Sequence, residues 1–203
     1  MLKVLDLFSG TGSVDKLCEK IGFDSVSVDL ILPATHNIDI LNFNYKQYPK
    51  DYFDIVWASP PCTNYSLLQD CYLGRMRKGE IYTKEIQEKE MKEDDKLVFK
   101  TFEIIDYFKP ELWFIENPAT SRMKDRPFMK GINNYVVDYC MYSDWGYQKR
   151  TRIWTNRTDF KAKICNKKCG NIKNNRHKKI VNFDKKKRYR VPEDLIFSLF
   201  LEQ

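Results

Sequence analysis

The sequence predicts an α/β domain in which a mostly parallel sheet is covered by helices on both faces. Apolar runs of strand length alternate with stretches of helical spacing, the pattern of strands joined by crossover helices. Two of those runs stop abruptly at proline-bearing turns, and the first stops at a glycine turn, so chemistry-bearing residues collect where strands end. With 203 residues the chain has room for one sizeable core and little for a second.

Lys3 to Phe8 reads as the first strand, closed by Ser9-Gly10-Thr11-Gly12. Val14, Leu17, Cys18 and Ile21 then share one helix face, and Gly22 is placed to stop it. Ser25 to Val28 alternates as a second strand ending at Asp29, and Ile38-Asp39-Ile40 supplies a short third. Phe53 to Ala58 is a fourth, stopped by Ser59-Pro60-Pro61. Leu67 to Lys96 is polar with nearly balanced charge, a solvated helix or a mobile segment. An apolar helix from Leu97 to Phe108 precedes strand Leu112 to Ile115; Val136 to Cys140 and Arg152 to Thr155 add two more strands. Residues 159–190 are basic and poor in apolar side chains, and a last apolar helix opens after Val191.

Charge is unevenly placed. The total is +7, yet Met1 to Pro60 carries eight acidic against five basic residues, while Gln148 to Arg190 carries seventeen Lys/Arg against two Asp. A basic tail on a mildly acidic body is the footprint of a nucleic-acid binder, with a solvated lysine-rich surface as the plainer reading. No apolar run reaches membrane-spanning length, and the start lacks the regions of a signal peptide, so a soluble intracellular chain without a membrane partner is expected. Six cysteines in such a chain argue for thiols, metal ligands or a nucleophile rather than disulfides.

The strand ends carry the candidate chemistry. A strand feeding Gly10-x-Gly12 and then a helix brings backbone N–H groups close to a ligand at the carboxyl edge of the sheet, and Asp29 sits where an acid would bind ribose hydroxyls; any tight strand-to-helix turn would also use such glycines. After Pro60-Pro61, Cys62 is held rigidly over the sheet edge, and a helix start at Thr63-Asn64 would stabilise its thiolate; a small buried residue is the alternative. Glu116 emerges at the end of its strand, where desolvation favours a protonated carboxyl able to donate to a base ring, unless it is a helix cap. Arg150 and Arg152 alternate on one side of an extended segment, suited to a base carbonyl and a phosphate, or to a plain basic strand edge.

Together Asp6-Leu7-Phe8-Ser9-Gly10-Thr11-Gly12, Pro60-Pro61-Cys62, Glu116-Asn117 and Gln148-x-Arg150-x-Arg152 come in the order of the DNA cytosine-5 methyltransferase family. The chain resembles the small stand-alone members found in phages and large DNA viruses. That resemblance, over Leu5 to Trp154, implies a Rossmann-like class I S-adenosylmethionine-dependent methyltransferase with a seven-stranded type of sheet. It implies base flipping, attack by Cys62 on cytosine C6, and Glu116 at N3. Arg150 and Arg152 would hold the base carbonyl and its neighbours. Asp6, Phe8, Ser9, Gly10, Gly12, Asp29 and Pro60 would serve the cofactor site, with Asp39 near the adenine. Thr63 and Pro118 stand where the family commonly has Gln and Val. Tyr189-Arg190-Val191-Pro192 is similar to the closing motif without its Gly-Asn.

The expected organisation is a catalytic domain over 1–158, a short recognition-like segment over 159–190, and a returning helix over 191–203. Double-stranded DNA is the expected partner; a tRNA methyltransferase, or a silent nucleic-acid-binding protein with the same fold, are the alternatives. The turn of exocyclic-amine methyltransferases has an aromatic residue where Cys62 stands. Cys165-x-x-x-Cys169 with His177 and Cys140 is a candidate zinc set, ordinary thiols being the alternative. The sequence points to no oligomeric state.

Overall fold

A computed structural model describes residues 1–174, 176–180 and 183–202. In chain order these form β1 (Lys3–Leu7), α1 (Ser13–Ile21), β2 (Asp24–Asp29), β3 (His36–Asn37), β4 (Ile55–Ala58), β5 (Met76–Arg77), β6 (Glu80–Ile81), α2 (Lys84–Phe108), β7 (Leu112–Pro118), β8 (Asn134–Asp138), β9 (Arg150–Thr155), α3 (Lys185–Tyr189) and α4 (Glu193–Leu201). Seven strands make one sheet in the order β3-β2-β1-β4-β7-β9-β8. All neighbours are parallel except β9, which runs against both β7 and β8. β5 and β6 form a separate small hairpin.

Strand alternation builds two cores, one on each face. Leu5, Leu7, Val56, Ala58, Ile115 and Trp154 face α2, packing against Met91, Val98, Ile104 and Phe108. Val4, Ile55, Trp57, Phe114 and Ile153 face the opposite way, onto Val14 and Leu17 of α1 and Leu195, Ile196 and Leu199 of α4. Because β1 and β4 are buried on both sides, β4 reads as an unbroken apolar run and β1 as one interrupted by the buried Asp6. α4 is fastened at its C-terminal end by the buried Arg157, which donates to the carbonyls of Ser198, Leu199 and Glu202 and pairs with Asp159 at 2.7 Å. A guanidinium there serves the carbonyls of the last turn, where intrahelical donors run out.

Several expected elements fall elsewhere. The third strand is His36–Asn37 rather than Ile38 to Ile40, since Asp39 bends the chain by accepting from Leu41 N to cap a short 3₁₀ turn. The polar stretch 67–96 divides into a 3₁₀ turn at Leu67–Tyr72, the hairpin and the first half of α2, whose 25 residues start at Lys84 rather than at Leu97. No helix begins at Thr63-Asn64: residues 63–65 make a turn, and the next 3₁₀ segment is capped by Ser66. Among the described residues no helix is long and apolar enough to cross a membrane.

Candidate active site

β1, β4 and β7 lie side by side and parallel, so their C-terminal turns share one edge. The first turn is built from left-handed backbone: Phe8, Gly10 and Gly12 have φ of 59°, 56° and 67°. A non-glycine residue in that region stores strain, and such strain clusters where backbone must meet a ligand. Asp29 braces this turn, its carboxylate accepting from Gly10 N at 2.9 Å, Ile31 N at 2.8 Å and Leu32 N at 2.7 Å. Three of roughly four lone-pair sites are thereby used, leaving one for a further donor.

Asp6 is fully buried under the turn. Burial, then the nearby Asp15 and Asp29 carboxylates, hold its carboxyl well above the usual range. Asp6 Oδ2, Ser9 Oγ, Thr11 Oγ1 and Asp15 Oδ1 are all buried without a protein partner. Orphaned acceptors and three crowded carboxylates suit a ligand that carries positive charge and donors. Asp39 lies at the same edge, beyond β3, with one oxygen committed to its own turn.

The second turn is pinned to the third. Asn117, wholly buried at the end of β7, donates from Nδ2 to Pro60 O at 2.9 Å, which fixes the backbone leading into Cys62. Beside it, Glu116 accepts from Tyr139 Oη at 3.0 Å and pairs with Lys149 Nζ at 3.4 Å. Burial, then the Glu116 charge, push the Cys62 thiol above its ordinary pKa, while Lys149 pulls it back. The resting sulfur is therefore a thiol, and the expected helix-start stabilisation of a thiolate is replaced by a cation set against an acid.

The arginines occupy the other side of β9. Register places Ile153 opposite Glu116 and Arg152 opposite Asn117, so Lys149 shares the Glu116 face while Arg150 and Arg152 share the Asn117 face. Arg150 makes a two-pronged pair with Asp138, at 2.9 and 2.8 Å. Arg152 donates to Asn134 Oδ1, and its Nε is buried without a partner. Lys149 and Tyr139 are contacts of the acid that the sequence reading did not assign. The signal was the alternation itself, which separates 149 from 150 and 152.

At the far end of β8, Cys140, Cys165, Cys169 and His177 converge, with their ligand atoms all within 4.8 Å of one another.

The sheet order, its single reversed strand and the ligand turn after β1 define a class I methyltransferase. Comparison with solved structures agrees on the fold: the Entamoeba histolytica methyltransferase EhMeth superposes with a TM-score of 0.55 at 16% identity, covering 81% of this chain and 56% of that one. An E. coli prophage-encoded protein described as a "putative DNA modification methyltransferase" gives 0.50 at 16% identity, over 81% and 51%. The chain thus spans about half the length of these structures. Residues 2–134 match the model of the C-5 cytosine-specific DNA methylases. A Frog virus 3 (isolate Goorha) protein named "Probable DNA (cytosine-5)-methyltransferase" is 39% identical over 216 residues, 98% of either chain. The chain belongs to the C-5 cytosine-specific DNA methylase family.

Proposed function

We propose that this protein methylates C5 of cytosine in double-stranded DNA, with S-adenosylmethionine as donor and Cys62 as nucleophile. The observation that carries the reading is the Asn117 bond to Pro60, which joins the cysteine turn to the acid-bearing strand as one unit. S-adenosylmethionine supplies an electrophilic methyl group, and its ammonium and sulfonium charges fit the orphaned acceptors and carboxylates of Asp6, Asp15 and Asp29. Phe8, Ser9, Gly10, Gly12, Asp39 and Pro60 complete that side.

With a flipped cytosine in place, Cys62 loses its proton and forms a bond to C6. Glu116, taking up the proton that Cys62 releases, donates it to N3, drawing electron density from the ring so that it accepts the sulfur. Negative charge then builds at C5, the atom that takes the methyl group. Loss of the C5 proton and elimination of the Cys62 sulfur restore the aromatic ring and the enzyme. Lys149 and Tyr139 hold Glu116 in position. Arg150 and Arg152 stand one strand further along, toward the base carbonyl and neighbouring phosphates. Residues 159–190 are read as a short recognition segment whose lysines meet the DNA backbone. The Cys140, Cys165, Cys169 and His177 set is read as a structural zinc site.

Duplex DNA containing 5-fluorocytosine tests the reading, because fluorine cannot leave as a proton does. With S-adenosylmethionine, a denaturant-stable protein–DNA adduct is expected, and none for Cys62→Ala. An adduct that survives that substitution overturns the role of Cys62; methyl found at N4, or transferred to tRNA alone, overturns the reaction or the substrate.

A further inference from the structure

We infer that a zinc ion held by Cys140, Cys165, Cys169 and His177 is a clasp fastening the basic segment onto the edge that carries Glu116 and Arg150. The inference rests on the zinc reading above and extends it from ligation to a positioning role in the active site.

Three sulfurs and one imidazole nitrogen are a closed set of zinc donors, with no place for a reacting water. His177 Nε2 lies 3.2 Å from Cys169 Sγ and 3.6 Å from Cys165 Sγ. A tetrahedral ion with bonds of ~2.3 Å to sulfur needs its ligands roughly 3.8 Å apart. Donors within 4.8 Å of one another therefore need draw in by only about 1 Å. Lys167 N donates to Cys165 Sγ at 3.3 Å, and Cys165 N to Asp138 Oδ2 at 2.8 Å, giving this ligand a hydrogen-bonded surround of the kind that orients metal ligands.

Outside the cluster the segment is held by scattered contacts, Lys178 N on Gly146 O, Tyr147 against Phe183 and Arg190 over Trp145, and by no core of its own. Among the described residues from 161 to 190, none is buried. Thirteen Lys/Arg against the single Asp184 repel one another along the same stretch. A chain this poor in core needs a cross-link, and the cysteines here are free thiols.

Two short paths lead from the cluster to the catalytic edge. Cys140 follows Tyr139, whose hydroxyl donates to Glu116. Asp138, wholly buried, accepts from Cys165 N with the same oxygen that takes Arg150 Nη2. Seating the ion thus fixes the end of β8, and β8 fixes both the acid and the first arginine.

The full chain should purify with about one equivalent of zinc and, with Co(II) in its place, show the absorption bands of tetrahedral thiolate-bound cobalt. Cys165→Ser and His177→Ala should lose the metal, His177→Cys should keep it, and Cys71→Ser, outside the cluster, should change nothing. Trypsin should then cut within 161–179 on the order of tenfold faster in stripped protein than in loaded protein. Hydrogen exchange of 134–155 should rise as well. Absence of zinc and of the cobalt spectrum from folded protein would overturn the metal site itself. Stoichiometric zinc whose removal speeds cleavage but leaves exchange of 134–155 unchanged would keep the site and overturn the clasp.

Discussion

At the scale of single residues, the Cys62 thiol is balanced between two opposite charges. Burial and Glu116 raise its pKa while Lys149 lowers it. Glu116→Gln should therefore lower the thiol pKa and speed alkylation by iodoacetamide at pH 8 several-fold, roughly, while methyl transfer collapses. Lys149→Met should move the alkylation profile to higher pH. If both variants shift that profile the same way, the opposition of the two charges is not what sets the thiol. The resemblance read from the sequence named Cys62, Glu116 and the glycine turn because those residues terminate strands, and strand ends are easy to see. Lys149 and Tyr139 were hidden for a different reason: their contact with Glu116 comes from antiparallel register between β7, β9 and β8, which a single sequence does not encode locally.

Among elements, α2 shows why a helix can escape hydrophobic periodicity. Its inward line in the first half runs through Gln87, Met91 and Asp95, two of them polar. Gln87 donates to Asp70 at 3.0 Å, and Asp95 accepts from Tyr65 at 2.8 Å and from Arg126. The burial is real, but its currency is hydrogen bonds, so only the apolar half from Leu97 onward was legible. The neighbouring Asp94 is raised by burial to about 6. A carboxyl whose folded pKa exceeds its unfolded value stabilises most below the unfolded pKa, and that benefit fades as pH rises through the folded one. Stability should thus decline between pH ~4 and ~6 through this group. Asp94→Asn should flatten that window and gain about 1 kcal/mol at pH 7 after allowance for solvent screening. Urea melts at pH 4, 5, 6 and 7 would show it; parallel profiles for both proteins would remove Asp94 from the account.

For the whole molecule, the sheet and both cores followed from strand alternation, while the placement of residues 159–190 did not. No periodic apolar pattern governs that stretch, and its contacts are scattered: Phe160 enters a core beside Tyr135, Phe183 packs on Tyr147, Arg190 lies over Trp145, and Lys163 N and Asn171 bond to Tyr142 Oη and to the carbonyls of Cys140 and Ser143. Its charge has a measurable consequence. If Lys167, Lys168, Lys173 and Lys178 meet phosphates, replacing all four by Gln should lessen the slope of log K against log salt by about 3 to 4 for duplex DNA. An unchanged slope would assign those lysines to bulk solvent.

Adjacency of β1, β4 and β7 also works as a ruler. Hydrogen-bonded strands sit about 4.8 Å apart, so the three turns that end them are stepped across roughly 10 Å. On the proposed function, that span would take a donor methyl, a pyrimidine ring and a proton donor in series, without any loop having to measure the distance. A strand inserted between β4 and β7 would widen the step and part the Cys62 turn from Glu116, whereas an insertion beyond β8 leaves that pitch unchanged.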